Sequence, residues 1–323
     1  MKRHRRIGFL FLLPALLPSL LDMPPLFGQA SSDIAPGYGE VIYELTGKNP
    51  NQLFIIGMSH RDALSKTNGN NTSRVQAELY KIGEWLVQNR ALELLLPEGY
   101  FKNGSEKTVK EKVRAQPAAR GNCPDPSDMK ALENMLSDDS VYVNAEMLLK
   151  RNYGLRLQQV EEKEFYDAVR QGILKLINNP GSSCDYPVVK SELDYLQERR
   201  TAAMLQRIPE VIEEEFRQGN IRERKAIFTI GLSHLHGIIN YLNKKKITIY
   251  PPLLTQEKGK DWVADVNLLK EGFGVSAIIP KTLADDLNVM KANRLEKIAA
   301  EYRSKNAVFL GRTSGPLSSA GKP

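Results

Sequence analysis

The chain has 323 residues, of which 41% are hydrophobic, enough to build the core of one large domain. Its formal net charge is +7, and residues 1–30 contribute four basic residues and one acidic residue, so the remainder carries +4. These charges are interspersed with acidic residues, whereas a nucleic-acid-binding surface needs a basic cluster. The composition therefore argues against a nucleic-acid partner.

The N-terminal 30 residues have the layout of an export signal. Four lysine and arginine residues precede an apolar stretch, Ile7 to Leu21, and small residues end at Ala30. The stretch contains Pro14 and Pro18 and is short for a membrane span. We therefore expect a signal peptide over residues 1–30, no stable membrane span after its removal, and an exported protein that is periplasmic or secreted.

Short runs of strand character recur along the rest of the chain. They are Val41 to Leu45, Gln52 to Ile56, Leu92 to Glu98, Leu155 to Val160, Ala226 to Ile230, Ile247 to Tyr250 and Val275 to Ile279. Helical patterns separate several of these runs, and strand–helix–strand units build parallel sheets. The sequence therefore predicts the α/β class, with a central mixed, mostly parallel β-sheet flanked by helices.

Helical periodicity is clearest in three places. Apolar residues from Val75 to Leu86 recur at helical spacing, and residues 188–217 form a long helix with an apolar stripe. A terminal helix is predicted over about residues 283–303.

The strands and helices indicate one α/β domain over residues 31–312. Within it, residues 103–225 are predicted to be a mainly helical insertion between two halves that each contain a Gly-x-x-His motif. Residues 313–323 are rich in serine, glycine and proline and are predicted to be a disordered tail.

Two segments of the chain nearly repeat each other. Residues 54–60 and 228–234 share the pattern Phe-x-Ile-Gly-x-Ser-His, and outside the signal the chain has only the histidines His60, His234 and His236. Ligands of open α/β sheets bind at the carboxyl ends of the strands, so His60 and His234 are predicted to share one pocket. Two imidazoles there suit a metal ion or paired acid–base chemistry. The alternative is a strand-end turn that recurs for structural reasons.

A glutamate and an arginine complete the candidate site. Glu98 is the last side chain of a strand stopped by Pro97 and Gly99, and a right-handed crossover places it on the same side of the sheet as His60. Arg200 falls on the apolar stripe of the long helix, where a buried guanidinium needs an anionic partner. We expect it to point into the site and hold a carboxylate or a developing oxyanion. Alternatively, it extends past the stripe to solvent.

Together these residues resemble the TraB/GumN/Tiki family, within the wider group of erythromycin esterase-like and ChaN-like proteins. The two Gly-x-x-His motifs of that family match those ending at His60 and His234. Its strand-end glutamate matches Glu98, and the arginine of its long helix matches Arg200. Thr201 stands where the family pattern has asparagine.

The resemblance implies an exported hydrolase acting on a peptide or small-molecule substrate. Tiki-type members resemble metal-dependent proteases, which implies a divalent metal ion on His60, Glu98 and His234, with Arg200 assisting. The same three ligands leave an open position for water, and they do not distinguish zinc, manganese and cobalt. Other relatives imply a metal-free esterase-like hydrolase using the same residues, or a non-catalytic haem- or metal-binding protein. His236 is a further histidine beside the second motif, and we expect it to have a supporting or structural role.

The two cysteines, Cys123 and Cys184, lie in segments rich in glycine, serine, asparagine and proline. Outside the cytoplasm such a pair forms a disulfide, and two free thiols are the alternative. Neither segment carries a histidine, which argues against a nucleophilic cysteine.

We predict that the exported protein contains a Cys123–Cys184 disulfide. Closing a loop of this length raises the free energy of unfolding by about 4–5 kcal/mol in the chain-entropy model. Thiol labelling of the denatured, non-reduced protein should find no reactive cysteine. Labelling of both residues before reduction would contradict the prediction.

Overall fold

The strands of the described residues form two sheets. The structure, a computed structural model, describes residues 34–59, 71–102, 128–137, 144–178, 186–252 and 261–313. Its strands are β1 (Gly39–Leu45), β2 (Gln52–Met58), β3 (Leu94–Pro97), β4 (Arg156–Leu157), β5 (Lys225–Gly231), β6 (Lys246–Ile249), β7 (Trp262–Asp265) and β8 (Gly274–Pro280). In the described ranges, six strands form one sheet in the order β1-β8-β2-β5-β3-β4, and β6 pairs with β7 in a second.

The main sheet is mixed but mostly parallel. β1 runs antiparallel to β8, and the other neighbouring pairs are parallel. Nearly every residue of β2 and β5 is buried, which is why both strands read as continuous apolar runs rather than as alternating ones. The predicted α/β class, with a mostly parallel sheet flanked by helices, is confirmed.

The helices pack in two groups around this sheet. They are α1 (Thr72–Arg90), α2 (Met129–Ser137), α3 (Ala145–Tyr153), α4 (Lys163–Asn178), α5 (Tyr186–Arg217), α6 (Leu232–Lys244), α7 (Asn267–Lys270), α8 (Lys281–Ala284), α9 (Leu287–Ala292) and α10 (Glu296–Thr313). Helix α1 contacts α2, α3 and α8, whereas the long helix α5 contacts α4, α6 and α7. Helices α2 to α5 and the short strand β4 lie between β3 and β5 in the chain, where the helical insertion was predicted.

The C-terminal region differs from its predicted form. Instead of one helix over about 283–303, the chain forms α8, α9 and α10. The carboxylate of Asp286 accepts hydrogen bonds from the N–H groups of Asn288 and Val289 and so caps α9. Arg294 adopts a left-handed backbone conformation with φ of 58°, which separates α9 from α10.

Several sequence predictions fall outside the described residues. These are the signal peptide over 1–30, the cysteine pair and residues 314–323 of the tail predicted over 313–323, whose first residue, Thr313, is instead the last residue of α10. The described residues all belong to one compact unit, Ser31–Pro323. No helix within the described ranges has both the length and the apolar character needed to cross a membrane.

A glycine allows α6 to begin directly against β2. A Cβ atom added to Gly57 would lie 2.9 Å from side-chain carbons of both Leu232 and Leu235, in the first turns of α6. Any larger residue therefore forces these two leucine side chains to shift. The glycine of the first Gly-x-x-His motif thus has a packing role that does not depend on catalysis.

We predict that Gly57→Ala lowers the free energy of unfolding by about 1–3 kcal/mol, because two buried leucines must shift. Denaturant unfolding followed by circular dichroism measures the change. The matched control is Gly237→Ala in α6, where an added Cβ meets no atom within 4 Å. It should stabilise the helix by about 0.5–1 kcal/mol, the propensity difference between the two residues. Equal stability of Gly57→Ala and wild type would contradict the packing role.

Candidate functional site

The two strands of the repeated motif are direct neighbours. β2 and β5 pair in parallel, and Met58 at the end of β2 is opposite Gly231 at the end of β5. β3 pairs with β5 on its other side, and the N–H of Glu98 donates a hydrogen bond of 2.9 Å to the carbonyl of Thr229. The carboxyl ends of these three strands therefore meet at one edge of the sheet.

Glu98 is held against the start of helix α6. Its Oε2 accepts a 2.6 Å hydrogen bond from the N–H of Gly231, the N-cap residue of that helix. A carboxylate at a helix N-terminus is stabilised by the helix dipole and by unpaired backbone N–H groups. The next residue, Gly99, has φ of +74°, which suits glycine and turns the chain away immediately after the carboxylate.

Arg200 connects Glu98 to a second carboxylate, that of Glu161. Its Nη2 lies 2.6 Å from Oε1 of Glu98, and its Nε donates to Oε1 of Glu161. The side chains of Arg200 and Glu98 are 8% exposed, and that of Glu161 is fully buried. Burial by itself lowers the pKa of Arg200, but the hydrogen bonds and charges of Glu161 and Glu98 outweigh it, and the pKa lies above its ordinary value. The guanidinium therefore remains charged inside the protein.

Glu161 is a site residue that the sequence analysis missed. It lies just beyond strand β4 and is anchored by a 2.8 Å hydrogen bond from the N–H of Gly99 to its Oε2. A signal for it existed, because Glu161 follows the predicted strand Leu155 to Val160 in the way that Glu98 follows β3. Two carboxylates, one directly after β3 and one in the segment that follows β4, thus contact one arginine.

His234 lies in the first turn of α6, beside the same cluster. Its Nδ1 is 2.6 Å from Oγ1 of Thr201, the residue after Arg200. Its Nε2 is 3.5 Å from Oε1 of Glu98, and its side chain is only 10% exposed. The structure therefore brings together three of the four predicted site residues: Glu98, Arg200 and His234.

Of the two remaining histidines outside the predicted signal, the structure describes His236 only. His60 lies outside the described residues, so its proximity to His234 stays a prediction. His236 points along α6 towards Asn240, whose Nδ2 is 3.3 Å from its ring nitrogens. Burial, and to a smaller extent the positive charge of Arg294, lowers the pKa of His236.

Aromatic rings cover the exposed side of the arginine. The ring of Tyr166 lies 5.4 Å from Cζ of Arg200, and Phe101 packs edge-on against Tyr166 at 5.3 Å between ring centroids. An aromatic face over a guanidinium is attractive and excludes water. The charged groups therefore interact in a partly dehydrated setting, where their attraction is stronger than in bulk water.

The cluster holds two carboxylates close to one guanidinium, because Arg200 contacts both Glu98 and Glu161. A carboxylate oxygen and an imidazole nitrogen are ordinary ligands of a divalent cation. Within the described residues, no group of three histidine, cysteine, aspartate or glutamate side chains is arranged to hold a metal ion. Glu98 and His234 offer two such ligands.

No family model, curated protein sequence or solved structure matches this chain. The likeness to the TraB/GumN/Tiki family therefore depends on the motif residues alone.

We predict that Arg200→Gln lowers the free energy of unfolding by about 3–5 kcal/mol, because it removes the guanidinium that contacts two buried carboxylates. The matched control is Arg222→Gln, which breaks the pair between Arg222 and Glu93, whose arginine side chain is 78% exposed. That change should cost about 0–1 kcal/mol. Denaturant unfolding compares the two variants, and equal losses would show that Arg200 is not the support of the cluster.

Proposed function

We propose that this protein is an exported, metal-dependent hydrolase of the peptidase type, with His60, Glu98 and His234 as the metal ligands. The observation that carries the proposal is the 3.5 Å separation of His234 Nε2 and Glu98 Oε1. Ligand atoms bound to one ion at about 2 Å each lie about 3–3.5 Å apart. Glu98 and His234 would therefore hold an ion with little side-chain movement.

The chemistry of these groups supports the same proposal. A divalent ion would be attracted by the carboxylate of Glu98 and by the nearby carboxylate of Glu161. Bound there, it would supply a Lewis acid that lowers the pKa of a water molecule towards neutrality. A hydrolase needs this chemistry to attack a carbonyl group at ordinary pH.

The contacts of Arg200 favour a positioning role in this reaction. Its Nε and Nη2 are directed at Glu161 and Glu98, so the guanidinium holds the ligand carboxylate in place. The N–H of Gly231 holds the other oxygen of Glu98. A carboxylate fixed at both oxygens keeps its orientation through a reaction cycle, which is the requirement for a pre-organised site.

A metal-free hydrolase is the second candidate, because Glu98 already accepts two strong hydrogen bonds. The donors Arg200 and Gly231 compete with any ion for its lone pairs. In this alternative, His234 acts as a general base on water and Glu98 stabilises the imidazolium that forms. The reaction is still hydrolysis, but the positive charge beside Glu98 is that of the protonated imidazole and not that of a metal ion.

We predict that the natively exported protein carries on the order of one divalent metal ion per chain and cleaves members of a peptide library. His234→Ala should abolish metal binding and turnover together, because it removes a ligand. Plasma mass spectrometry and a cleavage assay on the same preparation measure both. The control is His236→Ala, whose ring faces Asn240 and which should keep both properties.

The other outcomes distinguish the alternatives. Ester cleavage by a metal-free preparation, lost in His234→Ala, would favour the second candidate. A Soret absorption band without turnover would indicate the haem-binding class and contradict both hydrolase proposals.

A further inference from the structure

Thr201 makes two short contacts with its single hydroxyl group. Its Oγ1 lies 2.8 Å from the carbonyl oxygen of Gln197, one turn earlier in α5, and 2.6 Å from Nδ1 of His234. The residue is 4% exposed, so water does not compete for either contact. The positions of the hydrogen atoms follow from which of these partners is able to donate.

The hydroxyl group of Thr201 donates its proton to the carbonyl oxygen of Gln197. A carbonyl oxygen only accepts, so a bond between it and a hydroxyl requires the proton of the hydroxyl. The oxygen of Thr201 is then left as an acceptor, and the bond to His234 requires a hydrogen on Nδ1. In a neutral imidazole, the second nitrogen, Nε2, then carries a lone pair.

The distance on the other side of the ring agrees with this assignment. A hydrogen bond from Nε2 to Glu98 would be about 2.9–3.0 Å long. The observed separation of Nε2 and Oε1 is 3.5 Å. This longer distance is the one expected when both atoms are acceptors.

We propose that Thr201 is a positioning residue that keeps the hydrogen of His234 on Nδ1 and so presents Nε2 as the acceptor opposite Glu98. The consequence for metal binding rests on the proposed function, but the tautomer itself does not. Thr201 would act through His234 and would not contact a substrate. Groups that orient a ligating histidine in this way typically change metal affinity by about 10–100-fold when removed.

The test replaces Thr201 by valine, which has nearly the same shape but no hydroxyl group. Without this acceptor beside Nδ1, we expect the hydrogen on Nε2. Long-range proton–nitrogen NMR of the metal-free protein, at one fixed pH where the neutral ring prevails, should show Nδ1–H in wild type and Nε2–H in Thr201→Val. Calorimetric titration with zinc should show an affinity about 10–100-fold weaker in the variant.

Thr201→Ser is the matched control, because it keeps the hydroxyl group and should retain the wild-type tautomer and affinity. Circular dichroism verifies that each variant is folded. A hydrogen on Nε2 in the wild-type protein would overturn the inference without any variant. So would an unchanged tautomer in folded Thr201→Val.

The two proposals fail in different ways. If the tautomer switches as expected but wild type binds no metal, the metal-dependent function is wrong and the role of Thr201 stands. If wild type binds zinc and Thr201→Val keeps both the tautomer and the affinity, the role of Thr201 is wrong and the function stands.

Discussion

The buried bridge from Arg200 to Glu98 and Glu161 is the interaction on which the site depends. It ties the long helix α5 to two segments that follow the neighbouring strands β3 and β4. An isolated carboxylate in a dry interior is costly, and two facing each other are worse. The arginine makes their burial possible, and the aromatic ring of Tyr166 covers it from one side.

The junction of β5 and α6 supplies the other half of the site. Within four residues it provides the N–H of Gly231 to one oxygen of Glu98 and the ring of His234 near the other. This arrangement requires α6 to begin directly at the strand end, and Gly57 on the neighbouring strand leaves the space for it. The repeated glycine motif therefore has a physical basis in backbone packing as well as in the histidine that follows.

The fold class was readable from the sequence because buried parallel strands need continuous apolar runs and amphipathic helices need a regular stripe. The runs at residues 52–56 and 226–230 correspond to β2 and β5. Local chemistry that does not alter hydrophobic periodicity was missed, as with the side-chain cap of Asp286 that begins α9. The separate pairing of β6 with β7 was likewise not predicted, since strand partners depend on the packed chain.

For the candidate site, the sequence by itself determined which residues were chemically unusual. His234 and Glu98 stood at strand ends, and Arg200 lay on an apolar stripe where a charge needs a partner. Only the tertiary structure decided that Glu161 is one of the two partners of Arg200 and that Thr201 contacts His234, because these contacts join residues 39 and 33 positions apart. Periodicity describes which face of an element is buried, but not which distant side chain meets it. That pairing is set by how the helices pack on the sheet.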